Sequence, residues 1–251
     1  MKSYKYKMVL SGNILEVRKY SQTQYFDIDT SSTARKKGSL SKEKQAKIKK
    51  KNDYRALRMI KRLLASNYFV DDTAAKFITL TFKDKMDLKE CKKCLNKYHK
   101  KLNYHYGYTA KYIAVPELQK RGTIHFHIIY FGLPSIKQAE LKKLWTYGTT
   151  YIKAIEYGES SFNNLAEYIL KSKSISRNRY FTSRNNLKQP IEVRNDYVYN
   201  KIQHLVKDTS ATYILNHKND YCEYEIRSFD LSKLDYQQQE YIKKCLRDDC
   251  K

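Results

Sequence analysis

The stretch from Phe77 to Lys173 most constrains the fold. Its hydrophobic periodicity switches between about two and about 3.6 residues in a definite order. Phe77–Phe82 alternates β-formers and reads as a strand. Asp87 is placed to cap a helix reaching about Asn103, with Leu88, Cys91, Leu95, Tyr98 and Leu102 along one face. Tyr112–Leu118 and Thr123–Phe131 are strands on either side of Gln119-Lys120-Arg121-Gly122, a hairpin connection. Ser135 is placed to cap a helix to Trp145, and Gly148–Glu156 reads as another strand. Ser160 or Ser161 then opens a helix through Tyr168 toward Lys173. The order β-α-β-β-α-β, followed by a helix, predicts an α+β chain with a ferredoxin-like antiparallel sheet and helices on one face. The other sheet face is left to hold a site.

Charge narrows the partner. Of 251 residues, 50 are Lys or Arg and 26 are Asp or Glu, a net of +24. Such an excess favours a polyanion, nucleic acid before a membrane surface. No apolar run approaches the roughly 20 residues that span a bilayer. No apolar stretch follows the basic N-terminus, which disfavours a secretory signal and favours a cytoplasmic protein. The densest charge lies between Arg35 and Arg62, with thirteen Lys or Arg against Glu43 and Asp53. From Ser41 on this run reads as a helix. Its start is expected in solvent as a backbone-contacting arm, and its Leu57, Ile60, Leu63 and Leu64 against a core. The 24 tyrosines suit base stacking, but an AT-rich coding bias explains most of the excess. Cys91 and Cys94 form a CxxC without a second ligand pair, so two thiols on a helix in a reducing compartment are expected rather than a zinc site. No GxxxxGK[ST] is present, which excludes a P-loop ATPase.

The chemistry concentrates in His125-Phe126-His127. On a strand both imidazoles project to one face, with Phe126 on the other. Glu117 lies eight residues earlier on the preceding strand. A hairpin turn near Lys120 and Arg121 brings it roughly opposite His125. Two imidazoles and a carboxylate with open positions suit Mn²⁺, Fe²⁺ or Zn²⁺, and Mg²⁺ where phosphate oxygens complete the shell. Tyr168 and Lys171 share one face of the last helix. Spacing alone makes them no more than a packed ring and a surface cation.

Phe77–Phe82, Glu117-Leu-Gln-Lys-Arg-Gly-Thr-Ile-His-Phe-His127 and Ala166-Glu-Tyr-Ile-Leu-Lys171 occur in the order of the three motifs of HUH endonucleases. The chain resembles their rolling-circle replication initiators from phages and plasmids over about Lys76 to Lys173. The resemblance implies that His125, His127 and Glu117 bind a divalent metal (Mn²⁺ or Mg²⁺), and that Tyr168 is the nucleophile with Lys171 beside it. Many relatives carry a second tyrosine four residues before the nucleophile. Asn164 stands there, which implies a single-tyrosine enzyme. The implied activity is metal-dependent nicking and joining of single-stranded DNA at a replication origin through a 5′-phosphotyrosine, with a host helicase and polymerase as partners in a bacterial cell. Lys120, Arg121, Lys173 and Arg177 are candidate DNA contacts. The alternatives are a non-catalytic single-strand-binding module, or a transposase or relaxase of the same superfamily.

The expected organisation is residues 1–70 as an N-terminal hairpin and basic arm, 71–176 as the endonuclease core and 177–251 as an accessory region. The hairpin is Tyr4–Leu10 and Ile14–Tyr20 around Ser11-Gly12-Asn13. In the last part, Arg177–Pro190 reads as a polar loop, Tyr197–Val206 and Leu234–Leu246 as helices, and Thr212–Leu215 with Tyr221–Phe229 as paired strands.

Overall fold

In chain order the elements are β1 (Lys2–Ser11), β2 (Ile14–Phe26), α1 (Lys42–Asn67), β3 (Phe69–Val70), β4 (Thr73–Ala74), β5 (Lys76–Thr81), α2 (Leu88–Tyr106), β6 (Lys111–Leu118), β7 (Ile124–Phe131), α3 (Gln138–Leu144), β8 (Thr150–Ala154), α4 (Glu159–Leu170), β9 (Phe181–Thr182), β10 (Ile191–Arg194), α5 (Asp196–Lys207), β11 (Tyr213–Lys218), β12 (Glu223–Asp230) and α6 (Tyr236–Asp248). A computed structural model describes residues 2–26, 41–70, 72–171, 175, 178–183, 186–207, 210–218 and 222–249. Lys173, Arg177 and the Arg35–Lys37 cluster lie outside the described residues.

The chain divides into two compact units, residues 46–188 and residues 1–45 with 189–251. This differs from the expected divisions at 70 and 176. The β1–β2 hairpin is not an arm. β1 pairs with β10 and β2 with β12, so the hairpin forms the middle of a sheet ordered β10-β1-β2-β12-β11. An isolated hairpin is marginal in water and leaves its outer backbone groups unpaired. Strands from beyond residue 190 satisfy them. α5 and α6 cover one face of this sheet: Val198, Ile202, Val206, Ile242 and Leu246 pack on Met8, Leu10, Leu15, Val17 and Phe229.

The central unit has the expected topology. β5, β6, β7 and β8 pair antiparallel in the order β8-β5-β7-β6, and the short β9 extends the sheet beyond β6. β9 falls inside the segment read as a loop. With two residues and two paired positions it gives too little alternation to be read from sequence. Alternation sends Ile78, Leu80, Phe126, Ile128 and Tyr130 to one face, where α2 supplies Cys91, Leu95, Tyr98 and Leu102, and Leu141 and Trp145 close the layer. Each large side chain buried there contributes about 1.5–3 kcal/mol. The opposite face carries Phe77, Thr79, Thr81, Ile113, Val115, Glu117, His125, His127, Ile129 and Phe131. Ile113, Ile129 and Phe131 are fully buried, whereas Glu117 and His125 at the other end are only partly covered. The second face is therefore open at its His125 end.

Two helix starts differ from expectation. α3 begins after Lys137, not Ser135, because the Glu140 carboxylate accepts the Lys137 N–H (3.4 Å) and Ile136 is drawn into the core. α4 begins a turn before the serines. Gly158 has φ +141°, a conformation that L side chains rarely adopt, and its carbonyl accepts the Phe162 N–H at 3.0 Å. In α2 the Asp87 carboxylate accepts the Glu90 N–H at 2.8 Å, as expected. α1 also follows expectation: residues 41–52 are exposed, and Ile60, Leu63 and Leu64 are buried.

Candidate metal centre and nucleophile

The β6–β7 hairpin sets the geometry. Its turn needs a positive φ, which Gly122 supplies at +86°. The Gln119 N–H donates to the Thr123 carbonyl at 2.9 Å, and the Gly122 N–H to the Gln119 carbonyl at 2.9 Å. Arg121 staples the turn. Its Nε donates to Gln119 Oε1 (3.0 Å) and Thr123 Oγ1 (2.8 Å), and its Nη2 to the Phe82 carbonyl (3.3 Å). The guanidinium expected to contact DNA thus has three acceptors within the protein, while Lys120 beside it is exposed.

This turn puts Glu117 directly opposite His125, with Val115 opposite His127. One ligand atom from each of Glu117, His125 and His127 lies within 4.8 Å of the others. His127 Nε2 is 2.5 Å from Glu117 Oε2, and His127 Nδ1 is 3.2 Å from the Thr79 hydroxyl. The Phe77 ring stacks near-parallel on His127, with centroids 5.7 Å apart. His125 Nε2 is buried without a hydrogen-bond partner. Burial, then the neighbouring His127, lowers the His125 pKa to about 4 against the pull of Glu117; Arg121 lowers it further. The imidazole is therefore neutral at physiological pH, as a ligand must be. A buried ring nitrogen without a partner, beside an imidazole and a carboxylate, is a donor set that could bind a divalent ion.

α4 brings Tyr168 to this cluster. Phe162, Ala166, Ile169 and Leu170 bury the helix stripe, and Tyr168 sits at its edge, 59% exposed. Its ring lies edge-on to His127 with centroids 5.6 Å apart and edge-on to Phe77 at 6.0 Å. Lys171 follows at the C-cap, exposed, its N–H donating to the Tyr168 carbonyl at 3.4 Å. Asn164, one turn earlier, is exposed.

Residues 75–173 match the family model of replication-associated proteins of the ORF2 type. The matched span contains the metal-type cluster, Tyr168 and Lys171, and leaves the other unit outside. No protein with a curated description matches the chain. Among solved structures, the crystal structure of the hypothetical protein ORF119 from Sulfolobus islandicus rod-shaped virus 1 is similar, with 19% identity over 48% of this chain and 97% of that one, at a TM-score of 0.36.

Two neighbours of the site were not singled out from sequence. Thr79 faces His127 across the β5–β7 pairing. Tyr151, 56% exposed, faces Thr79 from β8 on the same sheet side. Strand alternation marks both as facing one side, but only the register shows which residues lie beside the histidines. The site is an open surface. A cavity of about 420 Å³ on the other unit, lined by Lys19, Tyr20, His217, Tyr224 and Arg227 among others, contains no metal-type cluster among the described residues. No described helix is long and apolar enough to cross a membrane.

Proposed function

We propose that this chain nicks and rejoins single-stranded DNA at a replication origin to start rolling-circle replication of a phage or plasmid. The observation that carries the reading is the exposed Tyr168 ring set 5.6 Å from His127 of a His-His-Glu cluster. The family match over residues 75–173 supports a role in replication initiation. A divalent ion held by Glu117, His125 and His127 supplies Lewis-acid polarisation of a phosphate and offsets charge that develops on it.

The rest falls to the chain. The Tyr168 hydroxyl attacks phosphorus in line and loses its proton. The P–O3′ bond breaks, and the 3′-oxygen leaves with the electron pair and takes up a proton to become the 3′-hydroxyl primer. The 5′-phosphate stays on Tyr168, so the bond energy is conserved for rejoining. Lys171, one turn along, favours the phenolate or holds a phosphate oxygen. Lys120, with Lys173 and Arg177 beyond the described residues, supplies phosphate contacts. A host helicase unwinds, and a host polymerase extends the primer.

The test is incubation of the full chain with a mixed pool of single-stranded DNA and Mn²⁺, resolved on a denaturing gel. A covalent adduct mapped to Tyr168 by mass spectrometry is expected, with adduct and nick both lost in Tyr168→Phe. A nick that persists in that variant points to activated water instead. Binding with no cleavage in either metal points to a non-catalytic module.

A further inference from the structure

We propose that Thr79 is the positioning residue for His127, holding the imidazole with Nε2 turned to the metal. The inference rests on the metal reading above and adds a role for the first strand motif. A neutral imidazole has one lone pair and one N–H. If His127 Nε2 ligates, Nδ1 carries the proton, and that N–H needs an acceptor. His127 is 5% exposed, so water has little access to it. The Thr79 hydroxyl, 3.2 Å from Nδ1, is the acceptor at hand. The Phe77 ring, stacked on the imidazole, sets its plane but offers no oxygen. The ring is thus fixed through its face, through Nδ1 and, beside Glu117, through Nε2.

The two threonines of β5 show why this role belongs to Thr79. Both face the cluster, Thr79 opposite His127 and Thr81 opposite His125. Thr81 is occupied elsewhere. Its Oγ1 accepts the Thr149 N–H at 2.8 Å and lies 2.7 Å from Thr149 Oγ1, which ties β5 to the start of β8. His125 Nε2 keeps no hydrogen-bond partner, so nothing among the described residues competes with an ion for it. One threonine orients a ligand and the other closes the strand connection. Partners of this kind, which orient a ligating histidine through its second nitrogen, typically cost 10- to 100-fold in affinity when removed.

The experiment compares the full-length wild type, Thr79→Val and Thr79→Ser. Val keeps the branched shape and the strand preference while removing the hydroxyl; Ser keeps the hydroxyl. Free Mn²⁺ is counted by electron paramagnetic resonance during titration. His127 is followed by ¹H–¹⁵N NMR in the Mg²⁺-loaded protein. Expected is a roughly 10- to 100-fold loss of Mn²⁺ affinity in Thr79→Val, with near-wild-type affinity in Thr79→Ser. A slowly exchanging His127 Nδ1–H signal should be present in wild type and Thr79→Ser and absent in Thr79→Val. Wild-type Mn²⁺ affinity in Thr79→Val would overturn the proposal and leave the metal reading standing. Equal loss in both variants would assign Thr79 to packing. A wild type that binds no Mn²⁺ would overturn the metal reading and this inference together.

Discussion

Tyr151 and Tyr168 stand in similar solvent exposure near His127, yet their expected roles differ because their supports differ. Tyr168 rides on a helix whose buried stripe aims it over the cluster. Tyr151 stands on β8, two strands from His127 in the same cross-strand row. At about 4.8 Å per strand it is roughly 10 Å away, the reach of the next base or two along a strand held at the metal. Stacking of one base contributes about 1–3 kcal/mol. Tyr151→Ala is therefore expected to weaken binding of a fluorescein-labelled single-stranded 30-mer by about 5- to 150-fold, with Tyr151→Phe close to wild type. Fluorescence anisotropy measures it, and equal affinity in the Ala variant would remove Tyr151 from the DNA path. His125→Ala is expected to abolish Mn²⁺ binding and adduct formation while most DNA affinity remains, because phosphate contacts dominate affinity. Isothermal titration with Mn²⁺ and with DNA separates the two effects.

At the scale of elements, α1 and α2 each carry a consequence. Residues 41–52 of α1 and its approach are exposed, but Ile60, Arg62, Leu63 and Leu64 are buried. Deleting the whole basic run would therefore remove core, so charge neutralisation is the sound test of the arm. Replacing Lys47, Lys49, Lys50 and Lys51 by Gln should leave the fold unchanged. Each lost phosphate contact should lower the slope of log K against log salt by about 0.7. A slope unchanged in the quadruple variant would mark this stretch as a solvated helix only. α2 buries His99, whose Nε2 lies 2.7 Å from the Tyr130 hydroxyl. Burial lowers its pKa to about 3 from an ordinary value near 6.5. Above pH 6.5 both folded and unfolded chains hold it neutral, and it adds no pH dependence. Between 6.5 and about 3 the unfolded chain takes a proton that the folded chain refuses. Stability is then lost as pH falls, by up to about 1.4 kcal/mol per unit. Urea unfolding at several pH values should give a shallower acid slope for His99→Gln than for wild type.

At the scale of the molecule, charge and contacts divide the chain unevenly. Residues 189–251 hold 10 Lys or Arg against 11 Asp or Glu, so the net positive charge resides in the first 188 residues. The cluster and Tyr168 lie in the unit of residues 46–188, which has its own core. Leu246 is fully buried in the core of the other unit. Leu246→Asp places a charge there and is expected to unfold that unit while Mn²⁺ binding at the cluster survives. Calorimetry with and without Mn²⁺ checks this. Loss of metal binding in step with that unfolding would show that the cluster depends on both units.

Read alone, the amino-acid order determined the central topology and most of the site. Alternation over Phe77–Phe82 and Thr123–Phe131, and a turn of known length between Glu117 and His125, are local signals that need no distant partner. They were enough to set two imidazoles and a carboxylate on one face. Tertiary structure alone decided three further things. The β1–β2 hairpin is the centre of a sheet, because its partners β10 and β12 lie more than 150 residues away in the chain and strand pairing has no sequence code at that distance. Arg121 turned inward on its own turn, because three acceptors happen to converge there. Thr79, not Thr81, came to face an imidazole with its hydroxyl uncommitted elsewhere. Side-chain period two puts both threonines on the same face, and only the neighbouring β8 connection, by claiming Thr81, distinguishes them.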